Sequence, residues 1–161
     1  MVTAAGGSVA VGEDGAALQA ASHNNMSGIN SNEAPKPVGA YPHARKVGNL
    51  LFLSGVGPRK KDSKEIPGVT LDAAGNILNY DIEIQCHAVF QNVKLILEAA
   101  GSKWENLVDV TVFLTNMKKD FQTFNKIYAE YFKENQPCRT TVEVNALPTP
   151  IAIELKCIAV L

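Results

Sequence analysis

A guanidinium and a carboxylate near the C-terminus are the side chains of this sequence best suited to chemistry. Arg139 lies in Pro137-Cys138-Arg139-Thr140-Thr141, where a helical pattern gives way to a strand pattern. Residues at such junctions present their side chains to ligands. A guanidinium offers a planar fork that takes a carboxylate through two parallel hydrogen bonds. Read alone, Arg139 could equally be a surface arginine in a casual ion pair. Glu154 lies in Ile151-Ala152-Ile153-Glu154-Leu155-Lys156, inside the most apolar strand pattern of the chain. A period of two puts Glu154 and Lys156 on one face and Ile151, Ile153 and Leu155 on the other. A carboxylate there can position or deprotonate a water, or simply pair with Lys156.

Other candidates are weaker on their own. Asn125, in Phe121-Gln122-Thr123-Phe124-Asn125, falls beside an apolar helical stripe and reads as ligand contact or as a solvent-facing amide. Tyr41, before Pro42, is packing and turn chemistry unless a site lies next to it. His43 could act as an acid or base, although a lone loop histidine often does neither. Cys138 has no assignable base. The histidines His23, His43 and His87 and the cysteines Cys86, Cys138 and Cys157 show no metal-ligand spacing, so no metal is expected. No glycine pattern marks a nucleotide site, and no cofactor is implied. From the residues alone, a carboxylate-binding site emerges without a specified reaction.

The elements that position these residues can be read from pattern. With 161 residues, 46% hydrophobic and 19% charged, the chain suits one domain. A formal net charge of -1 gives no bulk attraction to nucleic acid or acidic lipid. The odd cysteine count without CxxC suggests a reducing compartment, read as the cytoplasm. No Lys or Arg precedes Lys36, so neither a secretory signal nor a transit peptide is expected, and no apolar run is long enough for a membrane span. Residues 1–35 are rich in Ala, Gly, Ser and Asn and hold no aromatic residue. The expectation is a flexible extension over 1–36 and a folded domain over 37–161. Met26 could be an internal start.

Within that domain, Gly48-Asn49 between Ala44–Val47 and Leu50–Ser54 predicts a hairpin. Asp72-Ala73-Ala74-Gly75-Asn76 predicts a turn. Asp81 can cap a helix whose stripe runs Ile82, Cys86, Val89, Phe90, Val93, Ile96 and Leu97, with Gly101 ending it. Alternation at Val108, Val110, Val112 and Leu114 predicts a strand. Phe121, Phe124, Ile127, Tyr128, Tyr131 and Phe132 predict a second helix, and Thr140–Val144 and Ile151–Val160 close the chain as strands. The order is β-β-(β)-α-β-α-β-β, an α+β arrangement in which two helices can cover only one sheet face. The other face must be buried differently, and a symmetric oligomer is the simple answer.

Several blocks in order carry a family resemblance. They are Leu53-Ser54-Gly55, Gln91-Asn92-Val93-Lys94, Phe121-Gln122-Thr123-Phe124-Asn125-Lys126-Ile127-Tyr128, and Cys138-Arg139-Thr140-Thr141-Val142-Glu143-Val144 with Leu147-Pro148 and Ile153-Glu154. Over about residues 37–161 the chain resembles the RidA-type (YjgF-like) enamine/imine deaminases. The segments Gly39–Arg45 and Gly55–Arg59, with Tyr80-Asp81, are similar to its 2-aminomuconate deaminase branch. The commoner members carry Gln after Ser-Gly and a second acid two residues past the catalytic one. Here Val56 and Lys156 stand there, which points away from a broad range of small imines.

The resemblance implies a chorismate-mutase-like fold, a mixed sheet with two helices on one face, and a homotrimer with a central β-barrel and inter-subunit sites. It implies that Arg139 holds the substrate carboxylate, Glu154 orients water, the backbone at Gly55 and Thr141 assists, Tyr41 lines the site and Asn125 sits near it. No metal or cofactor is called for. A dicarboxylate substrate should want a second cation, for which Arg59, Lys60 and His43 are candidates. The partners are then a small carboxylate substrate and further copies of the chain, with no nucleic acid and no membrane. Three readings stand: a 2-aminomuconate deaminase, a generic 2-iminoacid deaminase that removes reactive intermediates, and a non-catalytic trimer that binds a small carboxylate. An RNA-directed role is disfavoured by the charge.

Overall fold

The computed structural model describes residues 26–161, and residues 1–25 of the extension expected over 1–36 lie outside them. The strands are β1 (Met26–Ile29), β2 (Ala44–Val47), β3 (Leu50–Leu53), β4 (Val69–Leu71), β5 (Ile77–Tyr80), β6 (Leu107–Leu114), β7 (Cys138–Glu143) and β8 (Ile153–Val160). The helices are α1 (Ile82–Ala99) and α2 (Met117–Tyr131). Six strands form one mixed sheet in the order β1-β2-β3-β8-β6-β7, and β4-β5 form a separate hairpin. Every neighbouring pair in the large sheet is antiparallel except β6-β7, which is parallel. A parallel pair needs a crossover, and α2 supplies it.

Local chemistry sets the element ends. Gly48, at φ 61, makes the turn between β2 and β3 that L side chains resist. Asp81 caps α1 by accepting from the Glu83 and Ile84 backbone N–H groups, and Asn116 caps α2 by accepting from Lys119 N–H. Asp72 Oδ1 accepts from Ala74 and Asn76 N–H and so closes the β4-β5 turn. The Tyr80 hydroxyl donates to Asp120 Oδ2 at 2.6 Å, tying this hairpin to the first turn of α2.

Both helices lie on one face of the sheet. Leu51, Leu53, Val110, Val112, Leu114, Ile153, Leu155, Cys157 and Ala159 meet Cys86, Val89, Phe90, Val93 and Phe124 there, all buried in one cluster. Each large apolar side chain so buried contributes about 1.5–3 kcal/mol. The opposite face carries Leu50, Phe52, Phe113, Ile158 and Val160, all partly exposed. No helix among the described residues is long and apolar enough to cross a membrane.

Two expectations need correction. The fold reaches beyond the expected boundary at residue 37 to include residues 26–36: β1 pairs with β2, and Ser31 and Ala34 are buried. Met-Ser-Gly-Ile shows no alternation, and its order comes from partners distant in sequence rather than from local pattern. Strict alternation along β6 also fails at its start. The ladder to β8 slips between Leu107 and Asp109, so Leu107 is buried and Val108 is 41% exposed. The extra residue of such a bulge breaks the period of two.

Candidate active site

Two clusters of predicted site residues form, on opposite faces of the sheet. The first surrounds Glu154. Tyr41, Gly55, Arg59 and Glu154 line one open cleft of about 110 Å3, with Val38, Gly57, Pro148, Thr149 and Ile151 as its other walls. The segment 54–59 is fixed from three sides. Val56 exchanges two backbone hydrogen bonds with Leu155, at 2.8 and 2.9 Å. The Asn92 side chain on α1 donates to the carbonyls of Gly57 (2.9 Å) and Arg59 (2.8 Å). Ser54 Oγ donates to Pro42 O at 2.6 Å, which ties this wall to the Tyr41 loop. Arg59 Nη2 donates to Lys36 O at 2.6 Å.

Gly55 is required by close approach. A Cβ there would sit 2.9 Å from Glu154 Cδ and would collide with Oε1. Burial pushes the Glu154 carboxyl above its ordinary value, and the Arg59 cation pulls it partly back. A carboxyl raised in this way is a better proton acceptor when ionised. Among the described residues Glu154 makes no ion pair with Lys156.

The second cluster holds Arg139. In the parallel β6-β7 ladder Arg139 pairs with Val110 and Thr141 with Val112, so both point to the helix side. Arg139 Nη1 donates to Asn125 Oδ1 at 2.9 Å. Its guanidinium lies 4.6 Å from the Tyr128 ring centroid and 5.6 Å from that of Phe124. The two rings and the amide fix the fork by cation–π attraction and one hydrogen bond. The Tyr128 hydroxyl and Thr141 Oγ1 are buried beside it without a hydrogen-bond partner among the described residues. Such orphaned groups add polar capacity next to a cation.

One chain does not bring the two clusters together. Glu154 pairs with Phe113 on β6 and Arg139 with Val110, so they stand three residues apart along β6 and on opposite faces. That is about 10 Å along the strand direction, with the sheet between. Tyr41, Gly55 and Glu154 therefore gather in one cluster, and Asn125, Thr141 and Arg139 in the other.

His43 lines a small cavity with Tyr41, Gly55 and Arg59, but its ring nitrogens, like the Lys60 ammonium, have other partners. His43 is buried, its Nδ1 accepts from Ser31 N–H (3.1 Å), and its Nε2 donates to Pro35 O (2.9 Å). Both ring nitrogens are thus spent on backbone, and the ring braces residues 31–35. Lys60 is exposed and pairs with Glu65 at 3.3 Å. Asn92 and Tyr128 were not singled out from sequence. Asn92 had a readable signal, a polar residue between Val89 and Ile96 on the buried stripe of α1. Tyr128 reads only as one more member of an apolar stripe. Among the described residues no three His, Cys, Asp or Glu side chains gather as a metal site.

Comparison with known proteins agrees with this fold. The family model described as Endoribonuclease L-PSP matches residues 31–161. A RutC family protein of Pyrococcus horikoshii is 43% identical over 131 residues, covering 81% of this chain and 94% of the relative. Reactive Intermediate Deaminase A, chloroplastic, of Arabidopsis thaliana is 36% identical over 133 residues, 83% of this chain and 65% of that protein. Among solved structures, Escherichia coli TdcF with bound serine superposes with a TM-score of 0.72 at 31% identity, covering 84% of this chain and 98% of that one. The Escherichia coli YjgF gene product gives 0.71 at 34% identity, covering 83% and 98%. The chain belongs to the endoribonuclease L-PSP family, the RidA/YjgF/RutC group, and is a homologue of its enamine/imine deaminases.

Proposed function

We propose that the protein is a hydrolytic deaminase that converts 2-aminomuconate, through its imine, to the 2-oxo acid and ammonia. The sites lie between neighbouring copies in a cytoplasmic homotrimer. The observation that carries this reading is the pair of half-sites: a fixed carboxylate-binding fork at Arg139 and a half-buried carboxylate at Glu154, each built but on opposite faces. A contact that joins two different surfaces is heterologous and repeats until a ring closes. The partly exposed apolar face of the sheet gives that ring something to bury. The relative TdcF holds serine, a small amino acid with one carboxylate, which suits an Arg139-type fork. The net charge of -1 weighs against RNA as the substrate despite the word endoribonuclease in the family's name.

The chemistry follows from these groups. The enamine tautomerises to an imine with an electrophilic carbon next to the carboxylate that Arg139 holds. Glu154 accepts a proton as water adds to that carbon. The proton passes to the nitrogen of the tetrahedral carbinolamine, the C–N bond breaks, and ammonia leaves a ketone. For 2-aminomuconate the product is 4-oxalocrotonate. Water is the only co-reactant. Proton transfer by a positioned carboxylate typically contributes about 10²–10⁴-fold.

The test is ammonia release from freshly generated 2-aminomuconate and from the enamines of serine or threonine. Wild type, Arg139→Ala, Glu154→Gln and a co-refolded mixture of the two variants are compared. Each variant alone should be nearly inactive, and random mixing should restore about a quarter of wild-type activity, because an intact site needs one half from each parent. An inactive mixture of correctly assembled chains overturns the shared site. Turnover of the small enamines alone keeps the reaction and replaces the substrate with generic 2-iminoacids. Carboxylate binding at Arg139 without turnover of either replaces the enzyme with a binding protein.

A further inference from the structure

We infer that Arg59 reads a second carboxylate, making the Glu154 cleft selective for dicarboxylate substrates over monocarboxylate ones. The inference rests on the proposed deaminase reading for its substrate but on the cleft alone for its geometry. Three consecutive cations, Arg59-Lys60-Lys61, follow the Gly55 wall. Lys60 and Lys61 turn out to solvent, paired with Glu65 and Glu33 at 3.3 Å each. Only Arg59 of the three lines the cleft with Glu154 and Tyr41.

Its guanidinium is anchored and still has capacity. One donor, on Nη2, is used by Lys36 O at 2.6 Å, and its own backbone carbonyl is held by Asn92. Five N–H donors are available to a guanidinium, so most remain for a ligand. No carboxylate lies within ion-pair distance of Arg59 among the described residues, and Glu154 acts on it only from farther away. An anchored, half-buried cation without a partner beside the general base matches a carboxylate at the far end of the substrate from Arg139. A pre-positioned fork also loses little freedom when a carboxylate docks bidentately.

Two stable six-carbon acids isolate this effect. Muconate and sorbate share a diene skeleton and differ by one carboxylate. Binding of each to the full-length protein is measured by titration calorimetry for wild type, Arg59→Met and Arg59→Lys. Wild type should prefer muconate by about ten- to a hundredfold, the worth of a charge-assisted pair. The preference should collapse in Arg59→Met and partly return in Arg59→Lys, which keeps the charge without the fork. A wild type that binds both acids alike, or a preference that survives Arg59→Met, overturns the assignment. Equal weakening of both acids in Arg59→Met and Arg59→Lys also overturns it, since that marks a wall residue. Arg59-dependent muconate selectivity without ammonia release from 2-aminomuconate would uphold the cleft assignment and sink the deaminase reading instead.

Discussion

Replacing Gly55 with alanine is the smallest change that separates the position of Glu154 from its presence. Gly55 is not among the glycines at positive φ, so its backbone is one that alanine can adopt. The whole effect must come from one methyl group. That methyl would sit 2.9 Å from Glu154 Cδ and closer still to Oε1. Ordinary carbon contact needs about 3.5–4 Å, so the carboxylate must retreat by about 0.6–1 Å. A misplacement of about 1 Å can cost about 10²-fold in rate. The carboxylate is the free end of a flexible side chain, so the fold should lose no more than about 1 kcal/mol. Steady-state ammonia release should therefore fall by about 10²-fold in kcat/KM while the melting temperature barely moves. In a Glu154→Gln background the same methyl should change the rate little, because nothing remains to misplace. Wild-type turnover by Gly55→Ala, or an equal loss in both backgrounds, would refute the reasoning.

Two further outcomes follow from the same structure. Only ionised Glu154 can accept the proton, and burial raises its pKa above 4.5, so the acid limb of kcat/KM should lie above that value. Arg59→Met removes the opposing pull and should move the limb still higher; a limb at the ordinary value, or one unmoved in Arg59→Met, contradicts this, and the profile from about pH 4 to 8 decides. Tyr80→Phe removes the one hydrogen bond that the side chain of the fully buried Asp120 makes among the described residues, where its Oδ1 already lacks a partner. A loss of about 1–3 kcal/mol, or about 3–10 °C in Tm, is expected by thermal denaturation, and an unchanged Tm would show that this contact bears no weight.

The elements legible in the sequence were those whose signals are local. Asp81 as an N-cap, Gly48 as a turn residue and the α1 stripe from Cys86 to Leu97 each rest on a few neighbouring residues. The order of elements then implied one uncovered sheet face. Signals that depend on distant partners were invisible. The strand at Met26–Ile29 exists through its pairing with β2, and the slip at Leu107 through its register with β8. The same division holds at the site. Type and position made Arg139 and Glu154 candidates and the family resemblance gave them roles, whereas the contacts of His43 depended on Ser31 and Pro35, which reach it only after folding. The separation of Arg139 from Glu154 onto opposite faces needed the full strand order.

Among the described residues, the strand that carries Arg139 is also an edge strand, six residues long and paired only through β6. Its outer row of N–H and C=O groups, with Val142 exposed beside it, is a template for uncontrolled strand addition. In the proposed trimer, a neighbouring copy that covers that edge guards it against aggregation while it surrounds Arg139. Selection for solubility in the cell therefore bears on the same strand as selection for turnover. Substitutions along Cys138–Glu143 that loosen the cover should reach the chaperone and protease machinery before they are felt as slow catalysis.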